Sequence, residues 1–169
     1  MKEMVSSGEV DALTPERVFK ELEKSLSYET PSAFFKVLCA CGAYQCVFTP
    51  LSIEAHYSHN NQFEFLDGLA TNQPHLKFCL WLINENLEDI SAVCQRLKVP
   101  KQYEQLALLS AQFYSFVSAF DLQTVESIYG FFAKTDALRR KERFKDLLTI
   151  YQLLSIEVDA IINLREQLG

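Results

Sequence analysis

Apolar residues recur at helical spacing along most of the chain, and this pattern predicts an all-α protein. Val18, Leu22 and Leu26 lie four residues apart and form one stripe. Similar spacing predicts helices within 31–42, 53–69, 75–83, 87–97, 103–120, 122–132 and 141–168. No segment alternates apolar and polar residues as a half-buried strand does. We therefore expect a bundle-like helical body and tail without a sheet.

The composition supports a packed core in a cytoplasmic protein. Hydrophobic residues make up 49% of the 169 positions and charged residues 22%. No signal peptide is recognisable, and the apolar run from 78 to 83 is too short to cross a bilayer. An odd number of cysteines within apolar runs indicates reduced, buried thiols. These five residues are Cys39, Cys41, Cys46, Cys79 and Cys94.

Two groups of residues could in principle bind a metal. Cys39, Cys41 and Cys46 do not have the paired spacing of a structural zinc site, so core packing explains them better. His56 and His59 lie about one helical turn apart, and His75 could approach them, as in a stand-alone metal hydrolase. No third ligand has a clear spacing. We therefore expect an exposed polar face and no metal.

The sequence contains none of the motifs that carry phosphoryl or nucleotidyl transfer. It has no Gly-rich phosphate loop, no nucleophile elbow and no Asp-x-Asp pair. A metal-dependent nucleotidyl transfer needs carboxylates that hold two cations against the triphosphate. We therefore predict no catalytic residue and no cofactor in this chain, and we expect it to be inactive alone.

The net charge of −6 opposes a general role in nucleic-acid binding, which normally requires a basic surface. One local cluster has the opposite sign and lies at a predicted helix start, where cations oppose the helix dipole. A phosphate backbone would explain such a cluster, and a solvated surface is the alternative. The cluster consists of Arg139, Arg140, Lys141, Arg143 and Lys145.

Several segments, in matching order, resemble the class II tRNA nucleotidyltransferases, the bacterial CCA-adding enzymes. The most specific is Gly8 to Leu22, which contains Thr14-Pro15-Glu16-Arg17-Val18. The others are 31–43, 94–100, 109–113 and the tail segment 136–144. These five segments contain 49 of the 169 residues and are spread from residue 8 to residue 144.

The resemblance implies a division of labour between this chain and a catalytic head expected upstream of it. Residues 1–48 would be helices derived from the neck, and residues 49–169 would form the helical body and tail; one continuous domain is the alternative. Glu16, Arg17 and Glu21 would belong to a motif that braces the neck. The expected partners are tRNA and the head, which would use Mg²⁺ with CTP and ATP. We predict that the phosphate contacts are Arg139, Arg140, Arg143 and Lys145.

Two departures and two alternatives remain beside this interpretation. Ile83-Asn84 stands where some relatives carry the His-Asp pair of a phosphohydrolase module, and these side chains cannot replace those ligands. Lys141 stands where relatives often have proline. A bacterial poly(A) polymerase would share head and neck, whereas a helical protein-interaction module would fit the acidic balance without any RNA role.

Overall fold

The computed structural model describes residues 14–51 and 63–169, and within these ranges it contains helices and no strand. The all-α prediction is therefore confirmed. Single 3-10 turns occur at Glu64–Leu66 and Phe120–Leu122. The α-helices of the described part are α1 (Pro15–Leu26), α2 (Ser32–Ala40), α3 (Ala43–Val47), α4 (Pro74–Leu82), α5 (Leu87–Arg96), α6 (Lys101–Gln112), α7 (Tyr114–Ser118), α8 (Val125–Thr135), α9 (Lys141–Leu153) and α10 (Asp159–Leu168).

Helix α4 forms the centre of the fold. Every residue from Leu76 to Leu82 is buried, and α4 packs against α1, α6 and α9. A helix that is enclosed on all sides needs apolar residues on every face rather than on one stripe. This explains why the segment 78–82 shows a continuous apolar run instead of a clear helical period.

An aromatic cluster around Trp81 joins the first helices to α4. The ring centroids of Phe35 and Phe48 lie 5.3 Å and 4.9 Å from that of Trp81. Phe78, one turn earlier on α4, lies 5.8 Å away. The indole N–H of Trp81 donates a hydrogen bond to the hydroxyl of Tyr44 at 3.3 Å. Buried aromatic pairs of this kind contribute beyond their area alone, so α2 and α3 are firmly packed on the body.

Two helices that the sequence predicts as continuous are broken in the structure. The segment 103–120 divides at Phe113 into α6 and α7. The segment 141–168 divides because Ser155 adopts φ 61° and the amide of Ile156 donates to the carbonyl of Tyr151 at 3.0 Å. These contacts form the closing motif of a helix C-terminus, normally made by glycine. The prediction of a single last helix was therefore wrong.

The remaining sequence predictions concern the middle of the chain and the cysteines. Residues 52–62 of the predicted helix 53–69 lie outside the described residues, and its described end forms only the turn Glu64–Leu66. Cys79 and Cys94 are buried as expected, but Cys46 is exposed. None of the described helices has the length and apolar composition needed to cross a membrane. The division of the chain at residue 48 remains a prediction.

Candidate nucleic-acid interface

A cleft of ≈ 730 Å³ opens where the start of α9 lies beside α6. Three of the four cations that the sequence predicts as phosphate contacts line it, together with Lys141. We call this site the basic cleft. The residues that line it are His75, Gln102, Tyr103, Gln105, Leu106, Arg139, Arg140, Lys141, Glu142, Arg143 and Asp146.

The connection between α8 and α9 is shaped by Asp136, which ends α8 in the left-handed conformation with φ 53°. The amide of Ala137 donates to the carbonyl of Phe132 at 3.2 Å, and the amide of Arg140 donates to the carbonyl of Asp136 at 2.8 Å. Aspartate tolerates this conformation better than most residues. The tight turn places Arg139 and Arg140 in the lining of the cleft.

The carboxylate of Asp136 organises the two arginines that follow it. Nε and Nη2 of Arg139 donate to its two oxygens at 2.9 Å and 3.0 Å, and Nε of Arg140 lies 3.7 Å from it. The hydrogen bonds from Arg139 and the nearby positive charges lower the pKa of Asp136. The side chains of Arg139 and Arg140 remain 85% and 58% exposed, so both are accessible to a ligand.

Arg143 is held differently, because its guanidinium is part of the packing. Nη2 donates to the carbonyl of Thr135 at 2.8 Å, and Nη1 donates to Oε1 of Gln105 at 3.4 Å. Its Nε is buried and has no hydrogen-bond partner among residues 14–51 and 63–169. Burial, followed by the neighbouring charge of Arg140, lowers the pKa of Arg143. Arg143 therefore ties α9 to α8 and α6 and is less accessible than the arginines before it.

The structure separates the fourth predicted cation from the others. Lys145 is exposed on α9 but does not line the basic cleft. Lys141, which the sequence analysis placed in the cluster without assigning it a phosphate, does line the cleft and is exposed. The helical period does not explain this difference, because residues four apart lie on the same side of a helix. Lys141 is the first residue of α9, whereas Lys145 lies about one turn further along it.

Other residues of the cleft carried no signal in the sequence. Gln102 and Gln105 are ordinary polar positions of an amphipathic helix, and only the packing of α6 beside α9 brings them to the cations. His75 was considered as a metal ligand, but its Nε2 lies 3.1 Å from a carboxylate oxygen of Asp146. The hydroxyl of Tyr103 donates to Glu23 at 2.7 Å.

The metal hypothesis receives no site in the described part of the chain. His56 and His59 lie outside the described residues. In ranges 14–51 and 63–169, no group of three or more His, Cys, Asp or Glu side chains is arranged to hold a metal ion. Within these ranges, the acidic residue that pairs with His75 is Asp146.

The predicted neck motif lies on α1, and none of its three residues lines the cleft. Glu16 forms an ion pair with Lys98 at 3.0 Å, which links α1 to the turn after α5. A backbone hydrogen bond and the hydrogen bond from Lys98 lower the pKa of Glu16. Arg17 and Glu21 are exposed, and no ion pair joins them among the described contacts. The bracing role of these residues remains a prediction.

Comparison with known proteins finds similarity to a family described by RNA binding and to proteins named as CCA-adding enzymes. Residues 1–53 match the family described as "Probable RNA and SrmB- binding site of polymerase A". Over 157 residues the chain is 36% identical to the CCA-adding enzyme of Coxiella burnetii, covering 92% of this chain and 40% of that protein. No solved structure matches it.

Further relatives give the same result. The CCA-adding enzyme of Pseudomonas putida is 32% identical over 155 residues, covering 90% of this chain and 41% of that protein. A protein of Nitrosococcus oceani named multifunctional CCA protein is 30% identical over 192 aligned residues, covering 95% of this chain and 46% of that protein. The chain thus spans less than half the length of these curated relatives and matches their C-terminal part.

Proposed function

We propose that the chain, which is similar to the C-terminal part of CCA-adding enzymes, is the helical, tRNA-binding part of such an enzyme. In this proposal it acts in the cytoplasm and supports the addition of CCA to tRNA 3′ ends. The transfer itself belongs to an N-terminal catalytic head, which would use Mg²⁺ with CTP and ATP. Glu16, Arg17 and Glu21 would brace the connection to that head.

The basic cleft is the observation that carries the proposal. The chain has a net charge of −6, yet Arg139, Arg140, Lys141 and Arg143 line one cleft. Two carboxylates share that lining, and a third, Asp136, pairs with the first two arginines. Guanidinium groups match the geometry of phosphate oxygens and bind them through paired hydrogen bonds. A phosphate backbone would thus find its contacts concentrated here, and the acidic remainder would repel it from other faces.

Neutralising the exposed arginines tests the proposal. We expect the double variant Arg139→Gln/Arg140→Gln to bind tRNA about tenfold or more weakly. The slope of log affinity against log salt should also fall by roughly one for each lost phosphate contact. Binding of tRNA at several salt concentrations measures both effects. The single variant Lys145→Gln tests the fourth predicted contact, which lies outside the cleft.

A matched control separates the cleft from net charge. Lys101→Gln/Lys134→Gln removes two positive charges from exposed positions that do not line the cleft. We expect this variant to bind tRNA almost as the wild type does. Equal binding by all variants would sink the proposal, and equal weakening by both double variants would reduce it to a general charge effect.

The family match over residues 1–53 favours a second candidate, the corresponding part of a bacterial poly(A) polymerase. The printed description of that family names polymerase A, whereas the relatives that match over 90% of this chain or more are named for CCA. The two candidates are distinguished by incubating the full-length parent protein with a tRNA that lacks its 3′-terminal CCA. Addition limited to CCA supports the first candidate, and an extended adenylate tail supports the second.

A further inference from the structure

The wall of the basic cleft that α6 forms carries two neutral amide side chains. The proposed binding of phosphates by the cations does not assign a role to them. Gln102 and Gln105 lie three residues apart on α6, so their side chains project from one face of the helix. Both are exposed, and both line the cleft that the cations of α9 also line. A backbone held by Arg139 and Arg140 would therefore meet these amides.

The hydrogen-bonding capacity of the two amides is largely unused. Arginine can only donate, so the contact of 3.4 Å from Arg143 fixes the oxygen of Gln105 towards Arg143. This leaves the NH₂ group of Gln105 without an acceptor in the described part of the chain. Gln102 makes no side-chain hydrogen bond to any other described residue, and thus offers both a donor and an acceptor.

The chemistry of an RNA backbone supplies a partner for such groups. Each ribose carries a 2′-hydroxyl near the phosphates, and this hydroxyl both donates and accepts hydrogen bonds. A neutral amide can do the same. Unlike a carboxylate, an amide does not repel the phosphates that the neighbouring cations attract.

An unpaired base is a less suitable ligand for this wall, because the aromatic residue of the wall, Tyr103, already packs against other rings. The ring of Tyr103 packs at steep angles against Phe19, Phe78 and His75, with centroid distances of 5.3, 5.4 and 6.3 Å. Its hydroxyl is bound to Glu23. Bases of single strands are usually bound by stacking on a free aromatic face, which this ring does not provide.

We propose that Gln102 and Gln105 bind ribose 2′-hydroxyls and make the basic cleft selective for RNA. The inference rests on the proposed function, because the amides act on a backbone that the cations hold. Arg139, Arg140 and Lys141 supply affinity that depends on salt. The two glutamines supply discrimination that depends on the sugar.

The experiment compares an RNA stem-loop with the same stem-loop carrying 2′-fluoro riboses, which keep the A-form sugar but lack the hydroxyl. The wild type should bind the ribose form more tightly. In Gln102→Met/Gln105→Met we expect that preference to shrink about three- to tenfold, as for one or two lost hydrogen bonds. Affinity for the 2′-fluoro form and the salt dependence should stay unchanged.

Gln112→Met/Gln152→Met is the matched control, because both glutamines are exposed and neither lines the cleft; it should keep the preference of the wild type. The inference is overturned if Gln102→Met/Gln105→Met retains the preference, or if it loses affinity for both forms equally. A preference found only with unpaired nucleotides would indicate a base pocket and would also overturn it. The proposed function still stands if replacing Arg139 and Arg140 abolishes the salt-dependent binding. If the wild type binds neither form of the stem-loop, the proposed function and this inference both fail.

Discussion

At the scale of single residues, the basic cleft contains arginines of two kinds. Arg139 is almost fully exposed and is bound to Asp136. Arg143 donates to the carbonyl of Thr135 and is largely enclosed. The sequence presents both as members of one cluster of cations, yet the structure gives the second a role in stability as well.

This difference predicts that replacing Arg143 lowers the stability of the fold more than replacing Arg140 does. Arg143→Met removes the donor to the carbonyl of Thr135, so we expect the free energy of unfolding to fall by about 1–3 kcal/mol. Arg140→Met removes an exposed side chain and should change it by roughly 0.5 kcal/mol or less. Urea denaturation of both variants measures the effect. Equal stabilities would show that the Arg143 contact contributes nothing to the fold.

At the scale of elements, the turn between α8 and α9 depends on one carboxylate that both ends a helix and orders the arginines after it. Hydrogen bonds from Arg139 hold the pKa of Asp136 below its ordinary value of 3.8. A carboxyl group whose folded-state pKa is lowered stabilises the fold above its unfolded pKa. That contribution is lost as the pH falls through the folded-state value.

Asp136→Asn keeps the preference for the left-handed conformation but removes the charge. We expect the variant to be less stable than the wild type at neutral pH. The difference should shrink as the pH falls below about 3.8 and disappear below the lowered pKa of Asp136. Denaturation at a series of pH values measures it, and Asp121→Asn, at an exposed position outside the cleft, is the control. A difference that persists in acid would assign the effect to packing instead.

The element scale also shows where sequence reasoning succeeds. The predicted stripe of Val18, Leu22 and Leu26 lies on α1, and the helix predicted within 75–83 forms most of α4. Both helices begin at a proline, which costs no hydrogen bond at the first turn. The break at Ser155 could not be predicted, since a serine gives no local signal for a φ of 61°. For the same reason the sequence identified the cations of the cleft but not Gln102 and Gln105, which only packing places beside them.

At the scale of the whole molecule, buried residues from α1 to α10 belong to one core cluster. The predicted division at residue 48 cuts through its aromatic part, because Phe35 and Phe48 both contact Trp81. Two parts that share such a core should lose their structure together.

Phe35→Ala tests this cooperativity. Its side chain is fully buried, so we expect the free energy of unfolding to fall by about 3–5 kcal/mol. The whole helical signal, including that of α5 to α10, should shift in a single transition. Circular dichroism with calorimetry measures both. Val37→Ala, at a position on the same helix that is 53% exposed, should shift it little. A second, unshifted transition would instead support independent domains on either side of residue 48.

The aromatic cluster has a practical consequence, because Trp81 is the one tryptophan of the chain and is only 2% exposed. Its indole lies where α2, α3 and α4 meet, in contact with Phe48 and the hydroxyl of Tyr44. Its intrinsic fluorescence therefore reports on a single known location without any label. A red shift of the emission would signal water entering between the first helices and the body, and a constant spectrum during titration with RNA would show that this junction stays closed.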